Sequence, residues 1–351
     1  MKKFLKLYFC IILLLLMSLL AGCSKKKDIV TDSAYMLGTH LNISIWTDDE
    51  KEGKQVIKEC FRRISEIERK MSVNIKASDV NKINNNAGNF VKVSEDTTKV
   101  LNKGIKYTEI SSGAFDPTIG RLVKLWGIGT QEEKVPKKIE IDEALKFVNY
   151  ELLKKKDNNE FKLDKKGMQI DLGGIAKGYA ADEVYSILKN KGIEHGVINL
   201  GGNIYTLGTK VDGQIWKIGI QDPLEPTGTP MGVVEFSDKA IVTSGNYERF
   251  FIKNDKRYHH IIDPKTGYPV QNGIISSTII TDRSMDADAL STSVYILGVE
   301  KGLMLIEKMK NTECIIITKD YRVHLSSGMK NKFKIENDRF QIENHNEDNK
   351  H

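Results

Sequence analysis

The sequence predicts an α+β fold in which largely antiparallel sheets are flanked by helices, as one large domain or two lobes. Three observations carry this. From Val197 to Thr281 short β-type runs follow one another without regular helical crossovers, which argues against a repeated βαβ sheet. Several other segments place apolar residues at helical spacing. The composition, 28% charged and 40% hydrophobic, is that of a globular chain.

In order, Tyr35–Trp46 reads as a strand. Lys51–Lys70 reads as an amphipathic helix that turns Val56, Phe61, Ile64 and Ile67 to a core. Val100–Ile110 and Ile139–Lys155 read as helices, and Met168–Leu172 as a short strand entering Gly173-Gly174 and a helix through Ala180, Val184 and Leu188. Strands follow at Val197–Leu200, Ile215–Gln221, Gly232–Phe236, Ala240–Thr243, Phe250–Lys253, Tyr258–Ile262 and Ile274–Thr281. A helix at Ala287–Leu297, a second helix and a strand at Cys314–Lys319 complete the domain, set at residues 34–342. The polar residues 343–351 read as a disordered tail.

The N-terminus has three lysines, an apolar run to Leu20, and then Ala21-Gly22-Cys23. This is the pattern of an export signal over residues 1–22. Leu20-Ala21-Gly22-Cys23 resembles the bacterial lipobox, which implies a lipidated Cys23, a polar tether over residues 23–33 and a protein anchored to the outer side of the cell membrane. Without the signal lysines the formal charge falls from +6 to +3. No basic stripe interleaved with aromatics appears, so nucleic acid is not an expected partner. Cys60 and Cys314 lie far apart on apolar patterns and read as buried thiols rather than a disulfide or zinc site.

Four stretches carry chemistry. In DLGGIAKGYAADEV, from Asp171, a glycine-rich turn enters a helix, where exposed amides and Lys177 could meet an anion; the spacing matches neither GxGxxG nor a P-loop. A tight structural turn reads equally well. In SMDADALSTSVYILG, from Ser284, Asp288 and Thr292 stand four apart on one helical face and could both ligate a hard cation. The plainer reading is that Asp286 and Asp288 favour the helix N-terminus. In HHIIDPKTGYP, from His259, a strand ends in a reverse turn, either a simple hairpin or the seat of an acid/base histidine beside a phosphate. GAFDPTIG, from Gly113, sets Asp116-Pro117 between glycines ahead of an apolar helix.

Together with MLGT (Met36–Thr39), KMS (Lys70–Ser72), NLGGN and SGNYERF, these stretches stand in an order that resembles the FAD:protein FMN transferase (ApbE) family from about Tyr35 to Lys319. The resemblance implies lobes that enclose a flavin nucleotide cleft, where a divalent cation such as Mg²⁺ helps split FAD. FMN then passes to a Thr or Ser hydroxyl of an exported or membrane-bound redox subunit, and AMP leaves. It implies a metal held by Ala176, Asp288 and Thr292, FAD contacts at Met36, Ala114, Phe115, Asp116, Asp171, Lys177 and the backbone near Ile262, and His260 at the reaction centre. The sequence departs from the family where many relatives have Met-Ser-x-aromatic: Met71-Ser72-Val73-Asn74 has no ring, so flavin stacking is either weaker or supplied by another residue such as Tyr35. Two alternatives share the motifs or the tether: an FAD pyrophosphatase that uses water as acceptor, and a flavin-binding lipoprotein without catalysis.

Overall fold

The computed structural model describes residues 27–157 and 159–343. The signal segment, Cys23 and residues 344–351 lie outside them. A hairpin of β1 (Asp28–Met36) and β2 (Thr39–Thr47) leads into the 22-residue helix α1 (Glu50–Met71), capped by the Asp49 side chain on Glu52 N. After the short helix α2 (Asp79–Asn85) and β3 (Val91–Lys92) come α3 (Glu95–Ile110), α4 (Gly120–Trp126) and α5 (Lys138–Leu145). β4 (Leu153–Lys156) and β5 (Glu160–Leu163) join β3 in a three-stranded sheet. Helix α6 (Ala176–Asn190) precedes β6 (His195–Leu200), β7 (Asn203–Leu207), β8 (Trp216–Gln221), β9 (Pro230–Phe236), β10 (Ala240–Gly245), β11 (Phe250–Lys253), β12 (Lys256–His259) and β13 (Ile274–Thr281). The chain ends with α7 (Ser284–Leu297), α8 (Val299–Glu307), β14 (Glu313–Thr318), β15 (Arg322–Leu325), β16 (Phe333–Ile335) and β17 (Gln341–Glu343).

The principal sheet has nine strands, in the order β1-β2-β6-β7-β10-β13-β14-β15-β17, antiparallel except at its last pair. Period-2 alternation gives it two apolar faces. Ile43, Ile198, Val242, Ile279 and Ile316 pack with residues of α1, α6 and α7. Ile241, Ile280, Ile315 and Ile317 meet a smaller sheet of β8, β9 and β16 through Ile218, Val234 and Phe333. All eight residues of β13, in the middle of this arrangement, are buried. A third cluster joins Leu122 and Trp126 of α4 to Ile141 of α5 and to Ile262.

Several expectations are corrected. Residues 28–33 are not tether: they pair with β2 throughout, and Val30 is buried. Tyr35–Trp46 is not one strand but a hairpin, because Leu37 and Gly38 both take positive φ, 54° and 70°. The strained Leu37 amide is held by Glu68 Oε1 at 2.9 Å. The Ile139–Lys155 helix stops at Leu145, since Asn149 turns its side chain onto Glu151 N while its own amide donates to Thr118 Oγ1. Met168–Leu172 is extended but pairs only at the Ile119–Gln169 bridge; the Asn84 carboxamide takes both the N–H and the carbonyl of Ile170, replacing a neighbouring strand. Glu343, placed in the tail, belongs to β17. Phe61 is only partly buried, whereas Val56, Ile64 and Ile67 are core.

Candidate functional site

The site forms where the N-terminal ends of α6 and α7 meet. Gly178 makes this possible: a Cβ there would stand 2.3 Å from Ser284 O, so only glycine lets the two backbones approach so closely. The Gly178 amide then donates to Asp288 Oδ2 at 2.9 Å. Asp288 is 4% exposed, and among the described residues it makes no ion pair. Burial pushes its carboxyl above the usual carboxylate range, opposed by the charge of nearby Lys177. One helical turn on, half-buried Thr292 has only a 3.4 Å contact with Ser244 Oγ. Beside Asp288 lies the fully buried Asn203 carboxamide, close enough to favour the carboxylate yet with neither polar atom hydrogen-bonded.

These features test whether the residues suit a divalent cation. A buried carboxylate without a counter-charge, an uncommitted hydroxyl and an orphaned amide oxygen are all hard oxygen donors, as Mg²⁺ requires. They fit. The first residue of α6, Ala176, stands two positions before the Gly178 amide that reaches Asp288. Three neighbouring amides are already used: Gly173 N donates to Asp171 Oδ1 at 2.7 Å, and Ile175 N and Ala176 N donate to Leu172 O. The glycine turn therefore offers an anion fewer free amides than its sequence suggested, and positive charge comes from side chains. Lys177 makes no ion pair among the described residues, and its charge acts on both Asp288 and His260.

The GAFDPTIG segment is zipped to the turn. Asp171 N donates to Pro117 O and Gly120 N to Gln169 O, and a Cβ on Gly174 would lie 3.1 Å from the Phe115 ring and 3.6 Å from Thr292 Oγ1. Ala114 and Phe115 are buried. Asp116 is turned inward: one oxygen accepts from both the amide and the hydroxyl of Thr118. Burial raises the Asp116 and Asp171 carboxyls, the latter despite the Gly173 amide and the charge of Arg249. Met36 packs at the core edge, while Tyr35 is 67% exposed, edge-on to His40.

The two histidines divide sharply. His259 is buried, and both nitrogens are taken: Nε2 by Val270 O at 2.8 Å, Nδ1 by Ile261 N at 3.3 Å. β12 ends there, one residue before His260. His260 is half-buried, with Nδ1 3.3 Å from Arg249 O. A carbonyl can only accept, so Nδ1 carries the proton and Nε2 keeps its lone pair. Burial, with Arg249 and Lys177 nearby, pushes this imidazole down to about 3, so it is neutral at pH 7. Ile262 is buried against Trp126 and bridges Pro269, and Trp126 Nε1 anchors the reverse turn through Gly267 O at 2.8 Å.

Three residues inside the quoted motifs were not singled out from sequence. Arg249 donates to Gly38 O at 3.2 Å and lies near Asp171 and His260, tying the first hairpin to this wall. Asn203 and Asp182 are the others. Asn203 and Asp182 stand beside glycines or alanines and Arg249 between Glu248 and Phe250; their place within the motifs was the available signal. A surface cavity of about 550 Å³ lined by Arg121, Lys124, Ile139 and Glu143 contains none of the predicted site residues, and the chemistry lies elsewhere.

The fold thus brings together a buried carboxylate with few partners, a lysine and a neutral imidazole, a set suited to an enzyme that handles an anionic substrate. A sequence model of the ApbE family matches residues 37–316, and the chain belongs to that family. It is 34% identical over 325 residues to the FAD:protein FMN transferase of Treponema pallidum (strain Nichols), covering 88% of this chain and 90% of that one. To the FAD:protein FMN transferase of Klebsiella pneumoniae (strain 342) it is 35% identical, over 86% of this chain and 93% of the relative. The crystal structure of the ApbE protein of Thermotoga maritima superposes with a TM-score of 0.80 at 32% identity, covering 86% of this chain and 98% of that chain. The flavin transferase ApbE of Vibrio cholerae gives 0.79 at 30%, over 87% and 99%.

Proposed function

We infer that this chain, an FAD:protein FMN transferase of the ApbE family, moves FMN from FAD to a Thr or Ser hydroxyl of an exported or membrane-bound redox subunit and releases AMP. The observation that carries the reading is the buried Asp288 carboxylate, which makes no ion pair among the described residues although the charge of Lys177 acts on both it and a neutral histidine. Asp288 and Thr292, with Asn203 and Ala176 beside them, would hold a divalent cation, which when bound neutralises charge on the phosphate oxygens. Lys177 and Arg249 add fixed positive charge for the pyrophosphate. His260 Nε2 takes the proton of the acceptor hydroxyl as its oxygen bonds to the FMN phosphorus, and the P–O bond to AMP breaks. The low basicity of this imidazole rises when phosphate charge comes near.

Anchoring through Cys23 belongs to the same reading, since a shared membrane surface raises the effective concentration of enzyme and acceptor. Among the described residues no helix is long and apolar enough to cross a membrane. Cys23→Ser should release the protein or leave it unprocessed; unchanged processing and membrane retention would overturn the anchor. The enzymatic test supplies FAD, Mg²⁺ and an exported flavin-acceptor domain. The acceptor should gain the mass of FMN with an equal amount of AMP. AMP formed equally fast without acceptor, and no modified protein, would favour the pyrophosphatase; intact FAD would leave a binding protein.

A further inference from the structure

We propose that Asp182 is the positioning residue of the cation site, a clamp that holds the Asp288 helix in register with the glycine-turn helix. The proposal rests on the reading of Asp288 and Thr292 as ligands. Helix α7 begins without a cap of its own: Arg283, its N-cap residue, supplies no side-chain acceptor to the first-turn amides. Asp182, two turns into α6, supplies it from another element. Its Oδ1 accepts Ser284 N at 2.8 Å and its Oδ2 accepts Met285 N at 3.2 Å, with Arg283 Nε at 3.4 Å. The side chain is 1% exposed. Helix α6 is thus tied to α7 twice, by Gly178 N on Asp288 and by Asp182 on the α7 amides, the second tie lying one turn before Asp288.

A buried carboxylate, even with Arg283 at its edge, is a costly way to join two helices, and apolar contact would be cheaper for stability alone. What the carboxylate adds is direction, since two amides on two oxygens fix both the axial and rotational position of α7. That position sets where Asp288 and Thr292 point. Positioning partners of metal ligands typically change affinity about 10–100-fold when removed.

The experiment measures Mg²⁺ binding to the whole protein by calorimetry, alongside FAD binding in chelator and thermal melting. Asp182→Asn keeps one acceptor but turns an amide donor on the other N–H groups; it should weaken Mg²⁺ about 3–10-fold, and Asp182→Ala about 10-fold or more. FAD affinity in chelator should stay within about two-fold, because among the described residues the Asp182 carboxylate is bonded to Ser284, Met285 and Arg283 and to none of the residues assigned to FAD. Leu188→Ala, a core truncation farther along α6, should lower the melting temperature and leave Mg²⁺ affinity unchanged. Should Asp182→Ala not fold, Asp182→Asn decides. Unchanged Mg²⁺ affinity in a folded Asp182 variant, or an equal loss in Leu188→Ala, would overturn the clamp. Asp288→Asn separates the two readings: if it too leaves Mg²⁺ binding unaltered, the ligand assignment has failed rather than the clamp.

Discussion

Two buried aspartates, Asp96 and Asp288, stand on neighbouring helices in opposite circumstances. Asp96 meets Arg63, Lys70 and the Tyr179 hydroxyl, each at 2.6 Å. These partners outweigh burial and hold its carboxyl well below the usual range. Glu183 adds a second carboxylate on Arg63 at 2.8 Å, which completes a network joining α1, α3 and α6. Asp288 has one backbone amide, an unbonded amide neighbour and the charge of Lys177 without an ion pair, and its carboxyl is raised. The chain satisfies the first carboxylate from within. The second keeps few internal partners, as the proposed cation site requires. A buried charge completed internally is tolerated by the fold, whereas one left incomplete costs stability until a partner completes it.

Substitutions that break this contrast should differ in kind. The largest effect on turnover is expected for Asp288→Asn, with a loss on the order of 10³ at low Mg²⁺, since a cation supplies several kcal/mol to charge neutralisation. The apoprotein should melt no lower than wild type, because an unpaired buried carboxylate is removed. Full activity at low Mg²⁺ would show that Asp288 is not a ligand. For His260→Asn the expectation is a loss of about 10² in rate, at the low end for general-base removal because this imidazole is weakly basic. FAD affinity should change little; equal losses of binding and rate would return His260 to a structural role. Thr292→Ala, which deletes a neutral donor, should cost about tenfold at low Mg²⁺ and recover at high Mg²⁺.

Asp96→Asn should leave turnover per folded molecule and its Mg²⁺ dependence unchanged while costing about 3 kcal/mol of stability, as Arg63 loses its main partner. A shifted Mg²⁺ optimum in that variant would merge the two regions that the structure separates. The smallest effect is on pH. His260 is held to about 3 in the folded chain, whereas an unfolded imidazole titrates near 6.5. Between these values the unfolded state binds more protons, so stability is lost as pH falls from about 6.5 to 3. His260→Asn should flatten that decline in melting temperature, and coincident curves would show that the imidazole is not kept neutral.

Much of the site was legible because its chemistry is local. Asp288 and Thr292 share a helical face through spacing alone, and α7 holds them that way. The choice between His259 and His260 was not legible from alternation, which merely puts them on opposite faces; the acceptor Val270 O, eleven residues on, marks His259 as structural. Arg249 was hidden for a similar reason, since its contact at Gly38 O lies 211 residues away. The apparent strand at Met168–Leu172 was misread because the Asn84 side chain, not a strand, satisfies it.

By itself, the sequence determined the α+β class, the amphipathic α1, the helix α7, the turn at Asp263–Gly267, and the set of residue types able to handle a cation and a phosphate. Those follow from periodicity, turn stereochemistry and donor chemistry, which act over a few residues. Only the tertiary structure decided which carboxylate is satisfied and which is left open. Asp96 and Asp288 both stand within helical sequence and carry the same charge; their difference lies in Arg63, Lys70 and Tyr179 around one, and Gly178 and Asn203 around the other. A carboxylate's role is set by the field of its neighbours in space, and strand order and helix packing bring those neighbours from 26 to 110 positions away.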